Sequence, residues 1–201
     1  MRRVSLSYKN IAGIVLLASA FLVNCAAIAK DAVPVTHAIN TQAAPAVIAV
    51  QGSLPSLPAS VTELKFGEFF KMPIGPRGLD ASAKLLALAG KSVRIIGYMA
   101  RAETPVAGMF ILTPLPVSLG DEDESLSDDL PASALFVHLD PAMAQLPLPY
   151  YPGLLQLTGT LALGPLDEID GHVSTVRLVL DADLSRAITP HESPVAAKKP
   201  S

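Results

Sequence analysis

The chain has 201 residues and a mass of 21.0 kDa, enough for one ordinary domain with tails and too little for two domains with separate cores. Half of the residues are apolar, 18 are Pro and none is Trp, a composition that indicates a globular unit carrying Pro-rich flexible segments. The formal net charge of −3 disfavours a polyanion such as nucleic acid as the partner.

The first 29 residues have the layout of a secretory signal. Three basic residues come first: Arg2, Arg3 and Lys9. The uncharged run Ile11–Val23 follows, and it is shorter than the roughly 20 residues that a membrane-spanning helix needs. Ala27-Ile28-Ala29 then predicts cleavage before Lys30, an uncleaved anchor being the alternative. The mature chain would carry 12 basic and 18 acidic residues, a charge of −6, and would be periplasmic or secreted.

The single cysteine suggests a second processing route. Leu22-Val23-Asn24-Cys25 resembles the bacterial lipobox, in which the Cys is lipidated and becomes the new N-terminus, although Asn24 replaces the usual small residue. Cys25 is therefore a lipidation candidate for a membrane-anchored form, or else a passive apolar residue of the signal. A chain cleaved after Ala29 has no thiol, which excludes a disulfide, a Cys-ligated zinc and a thiol nucleophile.

Composition divides the rest of the chain into three parts. Residues 30–60 are rich in Ala, Pro, Thr, Ser and Val without a sustained period, which predicts a disordered linker. Residues 187–201 contain three prolines and two lysines and predict a disordered tail. The folded unit is therefore expected over residues 61–186.

One short helix is expected at the start of that unit. Asp80 can cap a helix over Ala81–Ala89, and Gly90 stands where a left-handed C-terminal residue is favourable. The helix is predicted to pack through three leucines: Leu85, Leu86 and Leu88. Ahead of it, three aromatic residues are predicted to lie in the core: Phe66, Phe69 and Phe70.

Five segments then alternate with a period of two, which predicts strands. The residues that share one face of each are Val93, Ile95, Gly97 and Met99; Met109, Ile111 and Thr113; Leu135, Val137 and Leu139; Leu155, Leu157, Gly159, Leu161 and Leu163; and Val176, Leu178 and Leu180. Turn signals within Gly164–Gly171 predict a hairpin of the last two strands.

Five short strands favour a small barrel. Gly97 and Gly159 stand where a strand can bend sharply. The predicted fold class is therefore mainly β, a five-stranded barrel of the oligonucleotide/oligosaccharide-binding (OB) type preceded by one short helix. The helix of that barrel type usually lies between the third and fourth strands, whereas here it precedes the first. A small β-sandwich is the alternative.

Three segments carry a resemblance to a known family: Gly90-Lys91-Ser92-Val93-Arg94-Ile95-Ile96-Gly97-Tyr98-Met99, Phe110-Ile111-Leu112-Thr113-Pro114 and Leu157-Thr158-Gly159-Thr160-Leu161. Over residues 64–182 the chain resembles an uncharacterised family of exported bacterial proteins with a small barrel-like β domain behind a signal or lipoprotein peptide. The resemblance implies an accessory role in envelope transport. The family's Cys and proline run after the second segment are replaced here by Leu115-Pro116-Val117 and an acidic loop.

That acidic loop is the candidate metal site. Its carboxylates include Asp121, Asp123, Asp128 and Asp129, and clustered carboxylate oxygens suit Ca²⁺. The spacing departs from the calcium loop of EF-hands, since Leu126 and Ala132 stand where Gly and Glu are required. A solvated acidic loop without metal is the alternative.

Signatures of catalysis are absent from the sequence. It contains no Gly-x-Ser-x-Gly elbow, phosphate-binding loop or dinucleotide fingerprint. Only His138 and His172 fall within the predicted domain, too few for a three-His metal site. No enzymatic activity and no cofactor are therefore expected. A hydrolase with a dispersed site is an alternative, and its sign would be a histidine bonded to both a carboxylate and a Ser or Thr.

The candidate contact for a partner is the pair Tyr150 and Tyr151, which lies in a loop stiffened by Pro147, Pro149 and Pro152. Exposed aromatic residues on a rigid loop suit a protein or sugar partner, and ordinary packing is the alternative. The expected function is a non-catalytic binding or scaffolding module of the bacterial envelope whose partner is another envelope protein. The alternative is a metal-handling accessory protein that uses the acidic loop.

Overall fold

The computed structural model describes residues 39–76, 78–120 and 130–189. The chain divides into two units, residues 1–36 and 37–201, and the described residues all belong to the second. The predicted signal, the lipidation candidate Cys25 and the metal candidates Asp121, Asp123, Asp128 and Asp129 lie outside the described residues.

The described part is mainly β. Its strands are β1 (Thr62–Glu63), β2 (Ser92–Met99), β3 (Arg101–Ala102), β4 (Met109–Thr113), β5 (Ser118–Leu119), β6 (Leu135–His138), β7 (Leu154–Asp167) and β8 (Val173–Leu180). Its helices are α1 (Ala83–Ala87) and α2 (Ala182–Ile188), and single 3₁₀ turns occupy Phe66–Glu68 and Pro141–Met143.

Six strands form one mixed sheet in the order β1-β2-β4-β6-β8-β7, and β2 pairs in addition with β7. The β1–β2 and β6–β8 pairs are parallel, whereas β2–β4, β2–β7, β4–β6 and β7–β8 are antiparallel. The hairpin predicted from the turn signals is the β7–β8 pair. β3 and β5 form a separate parallel pair.

The core lies on one face of the sheet, and its strand residues follow the predicted alternation. Leu155, Leu157 and Leu161 of β7 are at most 1% exposed, as are Val93 and Ile95 of β2. Because side chains alternate between the faces of a strand, the period of two identified these buried positions correctly. Phe66 and Phe69 are buried among them, and Phe70 packs against them half-buried.

β4 is buried on both faces. Phe110 and Leu112 belong to the main core, while Met109 and Ile111 form a second cluster with Ala100 and Phe136 on the opposite face. Four half-buried residues cover this second cluster: Val106, Leu119, Leu130 and Ala134. The continuous apolar sequence Met109–Leu112 therefore reflects a strand covered by loops as well as by the core.

Gly159 is required because two strands approach closely. A Cβ atom there would lie 2.5 Å from the Val179 carbonyl oxygen of β8, well inside van der Waals contact. The sequence predicted a bend at this glycine. The structure shows a second reason for glycine, because any side chain here would displace the backbone of β8.

Composition misplaced the N-terminal boundary of the folded unit. Within residues 39–60, which were assigned to the disordered linker, the stretch around Ile48 packs on the sheet: Ile48 is 1% exposed and belongs to the main core. The Ile48 carbonyl accepts from the Gln156 N–H at 2.7 Å, and the Val50 N–H donates to the Leu154 carbonyl at 2.9 Å. Backbone hydrogen bonds and one inserted apolar side chain leave no periodic signal, so the sequence pattern missed this packing.

The predicted helix is shorter than expected and has another cap. α1 covers Ala83–Ala87, and the Ser82 hydroxyl, rather than Asp80, accepts the Leu85 N–H at 3.0 Å. Leu85 and Leu88 are buried as predicted, but Leu86 is 56% exposed. Residues three apart share a helix face and their immediate neighbours do not, which places Leu86 on the outer side.

The folded unit also extends farther toward the C-terminus than the predicted boundary at residue 186. α2 was not predicted, and it extends into the residues assigned to the disordered tail. The Asp181 carboxylate caps it by accepting the Leu184 N–H at 2.8 Å, and Ile188 near its end is 1% exposed. One fully buried apolar side chain in a short helix is too weak a pattern to detect from sequence.

Candidate functional site

The main candidate site is a cavity of about 480 Å³ on the loop-covered face of β4. We call it the loop cavity. It brings together the segment after β3, the outward side chains of β4, the end of β5, the β7–β8 turn and two short stretches near Ile39 and Tyr150. Most of its lining is apolar, and the residues used below are Glu103, Thr104, Val106, Met109, Ile111, Tyr150, Asp170 and His172.

The β7–β8 turn brings two polar side chains to this cavity. The Glu168 N–H donates to the His172 carbonyl at 2.8 Å and closes the turn around Gly171. Inside it, the His172 N–H donates to Asp170 Oδ1 at 3.1 Å, and the His172 ring lies 6.1 Å from the Phe136 ring. The turn therefore rests on the second apolar cluster and directs Asp170 and His172 to the cavity.

The charged groups of the loop cavity are acidic. Among the described residues its lining includes the carboxylates of Glu103 and Asp170, and no Lys or Arg. The His172 ring lies beside one of these carboxylates, with its Nδ1 3.2 Å from Asp170 Oδ2. Because two carboxylates repel a phosphate or carboxylate ligand, the arrangement suits an apolar group that is neutral or cationic at its polar end.

The structure separates the two tyrosines of the predicted partner contact. Tyr150 is half-buried and lines the loop cavity. Tyr151 is 4% exposed, belongs to the main core, and donates its hydroxyl hydrogen to the Ile188 carbonyl at 2.5 Å. Tyr150 is therefore the residue that a ligand of this cavity can reach, whereas Tyr151 attaches α2 to the core.

Replacing Tyr151 with Phe is expected to lower the free energy of unfolding by about 1–3 kcal/mol, because the buried Ile188 carbonyl loses its donor.

The same hydroxyl makes the stability depend on pH. Burial raises the pKa of the Tyr151 hydroxyl above its ordinary value of 10.0. A raised pKa stabilises the native state below pH 10, and this contribution disappears as the pH rises through the native pKa. Urea unfolding at neutral and strongly alkaline pH measures both effects. If the difference in the free energy of unfolding between Tyr151→Phe and the unmodified chain stayed constant above pH 10, the buried Tyr151–Ile188 hydrogen bond would be contradicted.

Outside the loop cavity, hydrogen bonds link four polar side chains. They are His138 of β6, Glu168 of the β7–β8 turn, and Ser174 and Arg177 of β8. His138 Nε2 lies 3.1 Å from Glu168 Oε1, and the Ser174 hydroxyl donates to the same oxygen. Arg177 Nη1 donates to Ser174 Oγ at 3.0 Å and to the Gly164 carbonyl at 2.7 Å. Glu168 and Ser174 are buried, so these bonds satisfy groups whose isolation would be costly.

The order of these groups differs from the histidine-to-hydroxyl contact expected of a dispersed hydrolase site. A serine nucleophile needs a hydrogen bond to the base that removes its proton. Here the carboxylate stands between His138 and Ser174, and among the described residues neither His138 nor His172 bonds a Ser or Thr hydroxyl. The linked side chains connect β6, the β7–β8 turn and β8, and within the described residues they do not include the histidine–hydroxyl contact that was named as the sign of a dispersed hydrolase site.

Neither a metal-binding group nor a membrane span occurs in the described ranges. Within residues 39–76, 78–120 and 130–189, no three His, Cys, Asp or Glu side chains gather closely enough to hold a metal ion. The same ranges contain no helix with the length and apolar character needed to cross a membrane.

Sequence reasoning missed most of the loop cavity. Glu103, Thr104 and Val106 carry no motif, and they meet the β7–β8 turn only through strand pairing. Of the lining residues, the sequence singled out Tyr150 as a candidate partner contact and His172 as one of two histidines within the predicted domain.

Comparisons with known proteins add little to this description. No family model matches the chain, and a search of curated proteins gives no match. Among solved structures, the chain is similar to a DUF3299 family protein from Pseudomonas aeruginosa PAO1, with 10% identity over 60% of this chain and 93% of the other, and a TM-score of 0.34. A likeness this weak carries no argument about function.

Proposed function

We propose that the chain is a non-catalytic binding module that is exported to the bacterial cell envelope and holds another envelope protein, as an accessory to a transport system. The observation that carries the proposal is the loop cavity, an apolar site of about 480 Å³. Ligand sites are typically concave, mainly apolar and supplied with a few polar groups that orient the ligand. Here Tyr150, Asp170 and His172 supply those groups.

The strand pairings support an OB-like barrel as the scaffold. Taken in ring order, β2 pairs with β4, β4 with β6, β6 with β8, β8 with β7 and β7 with β2. We propose that these five strands form the predicted barrel. The 3₁₀ turn Pro141–Met143 lies between β6 and β7, the third and fourth of these strands along the chain, where the helix of such barrels is expected.

The position of the loop cavity fits this scaffold. OB barrels bind ligands on the face of their second and third strands, between the loop after the first strand and the loop joining the last two. In this chain the second and third strands are β4 and β6, and the cavity is lined by β4, by the segment containing Glu103–Val106 and by the turn containing Asp170 and His172. The acidic lining favours a protein partner with an apolar side chain next to a neutral or basic group over a nucleic acid.

Val106→Asp is expected to weaken binding of the neutral dye Nile red about tenfold or more, because it places a carboxylate in an apolar cavity. Dye fluorescence titrated with the purified chain measures this effect. The matched control is Val173→Asp, at a residue that is 58% exposed and not part of the cavity lining. Equal weakening by both variants, or by neither, would contradict the loop cavity as the binding site.

The protein partner needs its own measurement. A photo-reactive amino acid at Thr104, an exposed cavity residue, is expected to cross-link one envelope protein in intact cells. The same group at the exposed Ala87 of α1 serves as the control. We expect the cross-link from position 104 to disappear in the Val106→Asp background. A product that persists there, or that forms equally from position 87, would oppose the assignment.

Export is part of the same proposal and rests on residues 1–29. The mass of the N-terminus of the native protein distinguishes cleavage before Lys30, a lipidated Cys25 and an uncleaved leader. An intact leader on a cytosolic protein would overturn the envelope location without touching the cavity assignment.

A further inference from the structure

We propose that a projecting hairpin of the folded unit inserts its apolar side chains into the surface of an anionic lipid bilayer. The hairpin covers residues 71–80, between the 3₁₀ turn Phe66–Glu68 and α1, and we call it the apolar arm. None of its residues lines the loop cavity. The inference is therefore independent of the binding site proposed above.

The apolar arm is closed by a backbone hydrogen bond at each end. At its base the Lys71 N–H donates to the Asp80 carbonyl at 2.8 Å, and at its tip the Gly78 N–H donates to the Gly75 carbonyl at 3.0 Å. The two limbs therefore run side by side. The side chains between these two bonds are held close together at one projecting point of the surface.

Three of those side chains are large, apolar and exposed. Met72 is 72% exposed, Ile74 is 58% exposed and Leu79 is 42% exposed. Every described residue from 71 to 80 is exposed, so within the described part of the chain nothing covers the arm. Single exposed apolar residues are common on protein surfaces, whereas a group of them on one element is typical of a surface that binds.

The base of the arm is fixed in the core. Phe69, two residues before the arm, is 0% exposed, and Leu85 of α1, which follows it, is 1% exposed. The Ser82 N–H donates to the Phe69 carbonyl at 2.9 Å, and the Ser82 hydroxyl donates to the Glu68 carbonyl at 2.5 Å. Both limbs therefore leave the core from fixed positions, which lowers the entropy lost when the arm binds.

The charge around the arm favours an anionic lipid surface over a protein. Residues 63–94 contain six basic and three acidic residues, a charge of +3, whereas the whole chain has a net charge of −3. Anionic headgroups attract a basic segment, and apolar side chains beside it enter the boundary between headgroups and acyl chains. A projecting arm enters a fluid bilayer directly, whereas a protein partner would need a groove that matches it.

The test uses the full chain, which contains no Trp, so that Met72→Trp places a single indole on the arm. The probes are vesicles of phosphatidylcholine mixed with phosphatidylglycerol, and vesicles of phosphatidylcholine alone. On the anionic vesicles we expect the indole emission to move to shorter wavelength and its quenching by acrylamide to fall severalfold, because the indole leaves water. We expect a smaller change on the neutral vesicles, which lack the charge that attracts basic residues.

Ile169→Trp is the matched control, because Ile169 lies in the β7–β8 turn and is 81% exposed. Its indole should stay in water even if residues 1–29 bind the vesicle. Adding Ile74→Ser to Met72→Trp is expected to shift the equilibrium between the inserted and the free arm about tenfold toward the free arm, since it removes one apolar side chain. Adding Val106→Asp should leave insertion unchanged, which separates the arm from the loop cavity.

Three results would overturn the proposal. The first is a position-72 indole that stays in water on anionic vesicles, which would leave the arm as a contact for a protein. The second is an equal change for the indole at position 169, and the third is an equal change on neutral and anionic vesicles. Because Met72 and Ile74 are exposed, we expect these variants to fold as the unmodified chain does, and circular dichroism checks this.

Discussion

Replacing Phe69 with Ala is expected to lower the free energy of unfolding by about 3–5 kcal/mol, a large share of the about 5–15 kcal/mol that stabilises a typical domain. Phe69 is 0% exposed. Its ring centre lies 5.4 Å from that of Phe66 and 6.4 Å from that of Phe70. Truncation therefore removes a fully buried ring and two aromatic contacts, and it leaves a cavity between the segment before α1 and the sheet.

Urea unfolding checks this expectation, with the midpoint falling and the slope unchanged. Met72→Ala is the matched control, because Met72 stands three residues later and is 72% exposed, and we expect it to change stability by less than about 0.5 kcal/mol. Should Phe69→Ala prove too unstable to purify, Phe69→Leu keeps most of the volume and is expected to cost about 1–1.5 kcal/mol. A loss under about 1 kcal/mol for the alanine variant would show that this segment is not part of the core.

Gly108→Ala is expected to lower the free energy of unfolding by at least about 3 kcal/mol, for two reasons that add. Gly108 has a φ of +76°, a left-handed conformation that costs a residue with a side chain roughly 1–2 kcal/mol. Its added Cβ would lie 2.2 Å from the Ala144 carbonyl oxygen. Backbone cannot turn away as a flexible side chain does, so this overlap forces the chain to shift.

The structure provides a control that separates these two costs. Gly153 has a φ of +95°, but a Cβ added there meets no atom within 4 Å. Gly153→Ala therefore measures the conformational cost alone, and we expect it to lose about 1–2 kcal/mol. If the two alanine variants were equally stable, Gly108 and Ala144 would not be in contact. Thermal and urea unfolding of both variants make the comparison.

The five longer strands were predictable because each carries its own signal, whereas β1, β3 and β5, with two residues each, were not predicted. Leu155, Leu157 and Leu161 of β7 alternate with polar neighbours, and this period is visible within ten residues. The turn between β7 and β8 was visible for the same reason, since Gly and Asp mark it locally. The length of β7 was not, because it continues through Gly164 and Pro165 to Asp167 with a shift in register.

The additions to the folded unit illustrate the limit of periodicity. Ile48 enters the main core from a Pro- and Ala-rich segment, and Ile188 enters it from a seven-residue helix. A single buried residue makes no period. Its burial depends on where the neighbouring chain leads it, so composition assigned both segments to disorder.

The candidate sites depend still more on tertiary structure. Val106 and His172 line the loop cavity although they are far apart in the chain. Strand register decides which side chains meet there, and register is a property of the assembled sheet.

The amino-acid sequence alone determined the strand-built character of this protein, the faces that its strands bury and the hairpin near its C-terminal end, because these features depend on interactions between residues close in the chain. The tertiary structure decided where the folded unit begins and which of the two tyrosines reaches a cavity. Those outcomes depend on contacts between distant segments, and no local pattern records them.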